Sequence, residues 1–310
     1  MRMLLTLLLL VLAGCSTRPP TNRFDLYVLG RAQDGGLPHV GCEKACCREA
    51  RASGRVETPA CLGIHDRQTD RLLLIEATPA IEPQLALLAE KTGVAGRGRQ
   101  PIDALLITHA HIGHYTGLIQ LGREVASTKN LPTFVSPRMA AFLRTNGPWS
   151  QLVELGQLNL VEVDVNGVMF EPIEGLKVEA IGVPHREEFS DTMAFRIHGP
   201  DSTVLFCPDV DRWEAHDGLL ASILEGVDVA YIDGTFYDGR EVPGRNLSEI
   251  PHPAMISTME QLEEYAQKQP GRIRFIHLNH TNPVWNDPVL QKEIEQRGFR
   301  LAEEGERVGL

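Results

Sequence analysis

The chain has 310 residues, 43% of them hydrophobic and 23% charged, with a formal net charge of −11. That length allows one large α/β domain or two small ones, with enough apolar residues for a substantial core. The acidic balance excludes a general nucleic-acid binder, which needs a basic face, but leaves room for a small anionic substrate held by one metal and one arginine. The cysteines, at 15, 42, 46, 47, 61 and 207, are too few and too unevenly spaced for a disulfide framework.

Met1-Arg2-Met3 precedes a leucine-rich run from Leu4 to Leu12, then Ala13-Gly14-Cys15-Ser16. One basic residue, a short apolar core and small residues make a secretory signal, too short to span a bilayer. The Leu12-Ala13-Gly14-Cys15 ending resembles a bacterial lipoprotein lipobox. The resemblance implies a leader over 1–14, lipidation of Cys15 and a tether over 15–23. Ser16, rather than aspartate, in the next position resembles lipoproteins sent to the outer membrane. The expected location is therefore the bacterial cell envelope, periplasmic face, with membrane contact through the lipid on Cys15. An ordinary cleaved signal peptide is the alternative.

Residues 24–310 read as one domain. Phe24 to Gly30 alternates apolar and polar as a strand, and Gly35-Gly36 marks a turn. Cys42, Cys46 and Cys47 are close enough to share a tetrahedral zinc with a fourth ligand from elsewhere. In an oxidising compartment Cys42 could instead pair with one of the other two, and free thiols are a third possibility. Cys61 reads as core. Leu72 to Ala77 is a buried strand by its apolar continuity, and Glu76 at its end stands either where a sheet presents polar groups to a site or as an exposed strand end, the second being favoured. Ile81 to Lys91 is apolar at helical spacing.

The short apolar run Ala104 to Ile107 reads as a buried strand, and His109, His111 and His114 follow it within six residues. Alternating imidazoles at a strand end can point two nitrogens at one ion, and the third can reach a neighbouring ion from the start of a helix. Pro137 to Leu143 and Trp149 to Leu155 read as short helices around Gly147-Pro148. Later strands run Val178 to Val183, Met193 to Ile197, Thr203 to Phe206, Val229 to Ile232 and Arg274 to Ile276. Polar residues stand at their ends: His185, Asp209, Asp233 and His277. Arg186 is a candidate for an anionic substrate group or for a surface ion pair. The Gly/Pro/polar stretch from Tyr237 to Pro253 is long enough to cover a site and carries His252 before a helix over Ser257 to Gln267.

With these residues in place, the chain resembles the metallo-β-lactamase superfamily, whose fingerprint is a His-x-His-x-Asp-His motif followed by His, Asp and His after successive strands. The resemblance implies an α/β fold of the αββα sandwich type, with two mixed sheets face to face and helices outside. It makes His109, His111 and His185, with Asp209 and water, one metal site. Gly113 stands where the family has an aspartate that ligates the second ion. A second site then has His114, His277 and the shared Asp209, and one-ion and two-ion states both stay open. Asp211 is a possible substitute carboxylate, although its position favours solvent.

A narrower resemblance lies in Asp34 to Pro38, the cysteines, and Phe275 to Pro283. These look like the pyrroloquinoline-quinone biosynthesis protein B and phosphoribosyl cyclic phosphodiesterase branch. It implies a structural zinc, with His280 as fourth ligand beside Cys42, Cys46 and Cys47. In the related tRNA 3′-processing nucleases a histidine near this place in the chain assists proton transfer, which makes His252 a candidate for that role, with a capping or surface histidine as the alternative. Asp233 is expected to orient a ligand histidine.

The expectation is a zinc-dependent hydrolase of a small-molecule phosphodiester, ester, lactone or amide, with no nucleic acid as partner. The alternatives are an iron-dependent redox or oxygen-using enzyme related to quinone-cofactor biosynthesis, since histidine and carboxylate ligands also suit iron, and a non-catalytic metal- or small-molecule-binding envelope lipoprotein.

Overall fold

The computed structural model describes residues 22–94, 97–244 and 250–310. The leader over 1–14, Cys15 and the tether as far as residue 21 lie outside the described residues. No described helix is long and apolar enough to cross a membrane.

Two seven-stranded sheets form the middle of the molecule. The first contains β1 (Phe24–Gly30), β2 (Cys61–Asp66), β3 (Arg71–Ile75), β4 (Ala104–Leu106), β5 (Leu131–Val135) and β6 (Leu158–Glu162). The second contains β7 (Asn166–Ile173), β8 (Leu176–Val183), β9 (Thr192–His198), β10 (Thr203–Cys207), β11 (Val229–Asp233), β12 (Ile273–Ile276) and β13 (Arg300–Leu301). Strand β14 (Arg307–Gly309) returns to the first sheet and pairs antiparallel with β1.

The helices are α1 (Ala45–Ser53), α2 (Ile81–Thr92), α3 (Ile112–Tyr115), α4 (Pro137–Thr145), α5 (Trp149–Glu154), α6 (Leu219–Leu224), α7 (Met255–Lys268) and α8 (Pro288–Gln296). Their limits follow local chemistry. Ser136 caps α4 by accepting from the Met139 amide at 3.1 Å, with Pro137 at the first helical position. Asp287 and Pro288 do the same for α8. Gly54 and Gly93, both left-handed, end α1 and α2.

Three separate apolar clusters define the layers. One holds Leu26, Val28, Ile64 and Leu73 against Val178, Phe195 and Phe206, and lies between the two sheets. A second packs Tyr27, Leu29 and Leu74 beneath α2, α4 and α5. The third packs Leu205, Ile232 and Phe275 beneath α6, α7 and α8. Three interfaces require four layers, so the fold is the αββα sandwich. Each fully buried aromatic, such as Phe195 or Phe206, contributes up to about 3 kcal/mol of burial.

One strand differs from expectation. All seven residues of β1 are buried, so it does not alternate between core and solvent. Leu26 and Val28 enter the inter-sheet core while Tyr27 and Leu29 enter the core beneath α2. Buried Asp25 is tolerated because Arg307 pairs with it at 2.9 Å.

Strand direction then positions the chemistry. β3 and β4 are parallel, as are β10, β11 and β12. β9 is antiparallel to both β8 and β10, so β8 points the same way as β10. The carboxyl ends of β4, β8, β10, β11 and β12 therefore open on one rim of the sandwich.

Candidate metal centre

Each of those strand ends delivers one or more polar side chains to the rim. Thr108 to His114 leave β4, His185 follows β8, Asp209 follows β10, Asp233 ends β11 and His277 follows β12. His109, His114, His185, Asp209, Asp233 and His277 are all buried. Two of the strand-end residues hold unusual backbones: Glu76 has φ +80° and His277 φ +63°. Such conformations cost about 1–3 kcal/mol and persist where the surroundings fix a functional side chain.

Asp209 is the hub. Its Oδ2 faces Nε2 of His109 at 3.3 Å, of His114 at 3.4 Å and of His277 at 3.8 Å. Its Oδ1 faces His185 Nε2 at 3.3 Å and His252 Nδ1 at 3.2 Å. No hydrogen bond satisfies Nε2 of His109, His114, His185 or His277, although all four atoms are buried. Leaving so many polar atoms unpaired costs about 1–3 kcal/mol each. Tetrahedral donors held about 2.0–2.1 Å from zinc lie about 3.3 Å from one another, which is the spacing seen around Asp209. The residues fit a metal centre on this test.

His109, His111, His185 and Asp209 form one group of mutually close donors. His111 turns Nε2 to Glu188 at 3.0 Å, which leaves Nδ1 as the nitrogen it can offer. Arg186, half-exposed, reaches that Nδ1 at 3.5 Å and lies 3.7 Å from Glu188, so it sits at the rim of the centre. Asp34, His114 and His277 form a second group, and Asp209, Asp233, His252 and His277 a third. Asp211 stays beside His185 Nδ1 at 3.4 Å, away from His114 and His277 as neighbours.

The outer contacts fix the rings. Thr108 Oγ1 meets His109 Nδ1 at 2.9 Å and donates to Glu76. Glu76 Oε1 in turn meets His114 Nδ1 at 3.2 Å. Glu76 is fully buried, which corrects the expectation of an exposed strand end: His114 and Thr108 supply the polar partners that burial requires. Asp233 Oδ2 meets His252 Nδ1 at 2.8 Å, and Thr235 Oγ1 bridges His252 and His277.

Charge states follow from these contacts. Burial would raise the Asp209 carboxyl, but His277, His185 and His252 hold it well below the usual range. Burial pushes His109 well below an ordinary imidazole, and His277 is lowered for the same reason. For His114 and His252 burial acts downward too, but neighbouring carboxylates outweigh it. Glu76 and Asp209 raise His114 well above its usual value, and Asp233 and Asp209 bring His252 to about 9.

His252 also lines a cavity of about 260 Å³ shared with Arg212, Phe236, Asp238 and Ser257. Its Nδ1 being engaged, Nε2 is the nitrogen left for a ligand there.

Among the cysteines, Cys42, Cys47 and His280 lie within 4.8 Å of one another. Cys46 is not in that group, although its Sγ is 3.9 Å from that of Cys47. This departs from the expected set of three thiols. Cys46 and Cys47 are consecutive on α1, about 100° apart around the helix, and it is Cys47 whose Sγ lies with Cys42 and His280. His39, which the sequence did not single out, stacks on His280 at 4.4 Å and gives its amide to Cys47 Sγ at 3.2 Å. All the described cysteines are free thiols, and Cys61 is core as expected.

Sequence reasoning passed over Asp34, Thr108, Glu188 and Thr235 as site residues, and misplaced Glu76. Only Asp34 had a signal, as an acid directly before Gly35-Gly36.

Residues 71–308 match the family described as the beta-lactamase superfamily domain. Coenzyme PQQ synthesis protein B of Rhizobium meliloti is 24% identical, over 94% of this chain and 99% of its own. The crystal structure of zinc-bound PqqB from Methylobacterium extorquens is 22% identical, with a TM-score of 0.77, over 92% of this chain and all of that one. A diphosphatase from the PhnP family gives 18% identity and a TM-score of 0.65, over 92% of this chain and 96% of its own.

Proposed function

This chain belongs to the beta-lactamase superfamily, and from that premise we propose that it is a zinc-dependent hydrolase acting on a phosphodiester, ester, lactone or amide. The carrying observation is the set of buried, unpaired Nε2 atoms of His109, His114, His185 and His277 turned toward Asp209. His109, His111, His185 and Asp209 would hold a first ion, with a position left open for substrate. Zinc held there supplies Lewis acidity and a water acidified to a pKa of about 7.

The protein's own groups then divide the work. Asp209, ionised, offers lone pairs from both oxygens and can hold an attacking water's proton or orient it. Glu76 and Thr108 keep the rings of His114 and His109 in place. His252, charged and tied to Asp233 through Nδ1, presents Nε2 to the cavity and gives a proton to the leaving group. Substrate would enter by the cavity beside His252. Arg186 at the rim is placed to meet a distal anionic group. The envelope location rests on the leader and Cys15 alone, and labelling with a radioactive fatty acid in wild type and Cys15→Ser tests it.

Assay of the purified protein against bis-p-nitrophenyl phosphate and simple lactones, with metal analysis of the same preparation, tests the hydrolase reading. Turnover by zinc-loaded wild type, with a loss of at least about a hundredfold in His111→Ala, is expected, since a ligand should cost more than an outer partner. Unchanged turnover in that variant overturns it. Iron as the bound metal favours redox chemistry instead.

A further inference from the structure

Gly113 removes the motif carboxylate from α3, yet the space it leaves is filled. A Cβ built on Gly113 would lie 2.1 Å from Asp34 Oδ1, 2.5 Å from its Cα and 2.9 Å from its Cγ. Asp34 therefore occupies the volume that a side chain at 113 would need. Its Oδ1 is buried, without a hydrogen bond, and lies 3.6 Å from His114 Nε2 and 4.0 Å from His277 Nε2. Those two nitrogens are themselves unpaired and face Asp209 Oδ2.

The loop is built to keep Asp34 there. The Gln33 amide donates to the Leu278 carbonyl at 2.9 Å, and the Leu278 amide donates to the Arg31 carbonyl at 2.9 Å. Asn279 Nδ2 donates to Gln33 Oε1. These bonds stitch the residues just before Asp34 to those just after His277. Gly36 closes the turn onto Gln33 at 2.8 Å, and Asp34 takes a left-handed φ of +29°, uncommon for a residue with a side chain. The Asp34 side chain is about one-third exposed, but its Oδ1 is buried and unpaired, and so is placed for a ligand.

We propose that Asp34 supplies the carboxylate of a second metal site, with His114, His277 and the shared Asp209, and that Gly113 is required to make room for it. The centre thus holds two ions, through a carboxylate moved from the histidine motif to the first βα loop. A Cβ at 113 would also meet the Asp34 Cα, a backbone atom, so the loop needs glycine at 113. This inference rests on the centre holding metal at all, as the hydrolase reading requires.

Metal content and zinc competition titrations on the purified full chain test it, with cobalt absorption spectra as a second readout. Wild type is expected to carry one more ion than Asp34→Asn, which keeps the side chain's shape and removes its charge. The affinity of the ion at this position falls by at least about a hundredfold, more than loss of an outer partner costs. Thermal unfolding of each metal-free protein separates a lost ligand from a lost fold. Asp34→Asn with full metal content and unchanged affinity overturns the inference. His185→Ala reads the first site separately. If it changes nothing in metal content, the hydrolase reading falls with this one, whereas two ions at the centre, counted apart from any at the cysteine cluster, in both wild type and Asp34→Asn sink only the role of Asp34.

Discussion

The histidine–aspartate centre and the cysteine cluster both gather metal-type donors, but the chain builds them in opposite ways. The centre draws its donors from the ends of strands in both sheets, and nearly all are buried. The cluster draws Cys42 and Cys47 from a loop and the first turn of α1, and His280 from a turn after β12, with Cys42 and His280 half-buried. In the centre, outer partners such as Glu76, Thr108 and Thr235 fix each ring. In the cluster the supports are backbone groups, the Arg51 guanidinium on the Cys42 and His39 carbonyls, and one stacked ring, His39 on His280.

The titration states differ as well. In the cluster, burial raises the Cys47 thiol to about 11 and lowers His280 to about 4. Cys42 is lowered despite burial, because the Lys44 amide and the neighbouring thiols favour its thiolate. A centre of open, rigidly held imidazoles around one shared carboxylate suits chemistry on a small molecule. A cluster that ties a loop to a turn suits the holding of structure. Substitutions should therefore separate the two regions by which property they change.

The largest effect belongs to Asp209. Asp209→Ala should lower hydrolysis by more than about a hundredfold and release metal from both halves of the centre, since each half faces that carboxylate. Mass-spectrometric metal counting beside the assay reads both, and a variant that keeps its ions would deny Asp209 the place of hub. Next, Glu76→Gln removes the charge behind His114 and should weaken metal binding at the centre by about 10–100-fold in a zinc competition titration. An unchanged titration would show that the buried carboxylate serves packing alone.

Smaller and of another kind, Cys42→Ser should lower Tm by roughly 2–6 °C and release one ion, while hydrolysis stays within about threefold of wild type. A collapse of activity at unchanged Tm would erase the distinction between the regions. Last, Cys46→Ser should change stability by no more than about 0.5 kcal/mol in urea unfolding, because Cys46 lies outside the group formed by Cys42, Cys47 and His280. A loss equal to that of Cys42→Ser would return Cys46 to the ligand set.

The sandwich and most donors of the centre were legible because each combines two local signals, a short apolar strand and a histidine or aspartate immediately after it. His109, His185, Asp209 and His277 all have that form. Glu76 has it too, and was misread for want of a visible partner: His114 lies 38 positions further along, and their contact is purely tertiary. Asp34 is a harder case. It sits in a turn, and its meaning depends on a glycine 79 positions away that is informative only for lacking a side chain. The adjacent thiols of Cys46 and Cys47 were indistinguishable by spacing, and only the fold, which gathers Cys42, Cys47 and His280, separates them.

The loop that carries Asp34 also bears on how the protein is made. Ala32 bridges to Pro59 on one side and to Leu278 on the other, and β1 pairs with residues 307–309. During synthesis, β1 and Asp34 emerge first, while His277, Leu278 and β14 emerge hundreds of residues later. A ribosome-bound chain that stops short of residue 277 has every histidine of the first motif and the contact of Ala32 with Pro59, but not the bonds to Leu278 and Asn279 that hold the residues beside Asp34. If the centre binds metal as proposed, full occupancy belongs to nearly finished molecules, and an ion caught earlier would be held by an incomplete set of ligands. In a cell, metal loading would act as a late proof that both distant portions of the chain have found each other.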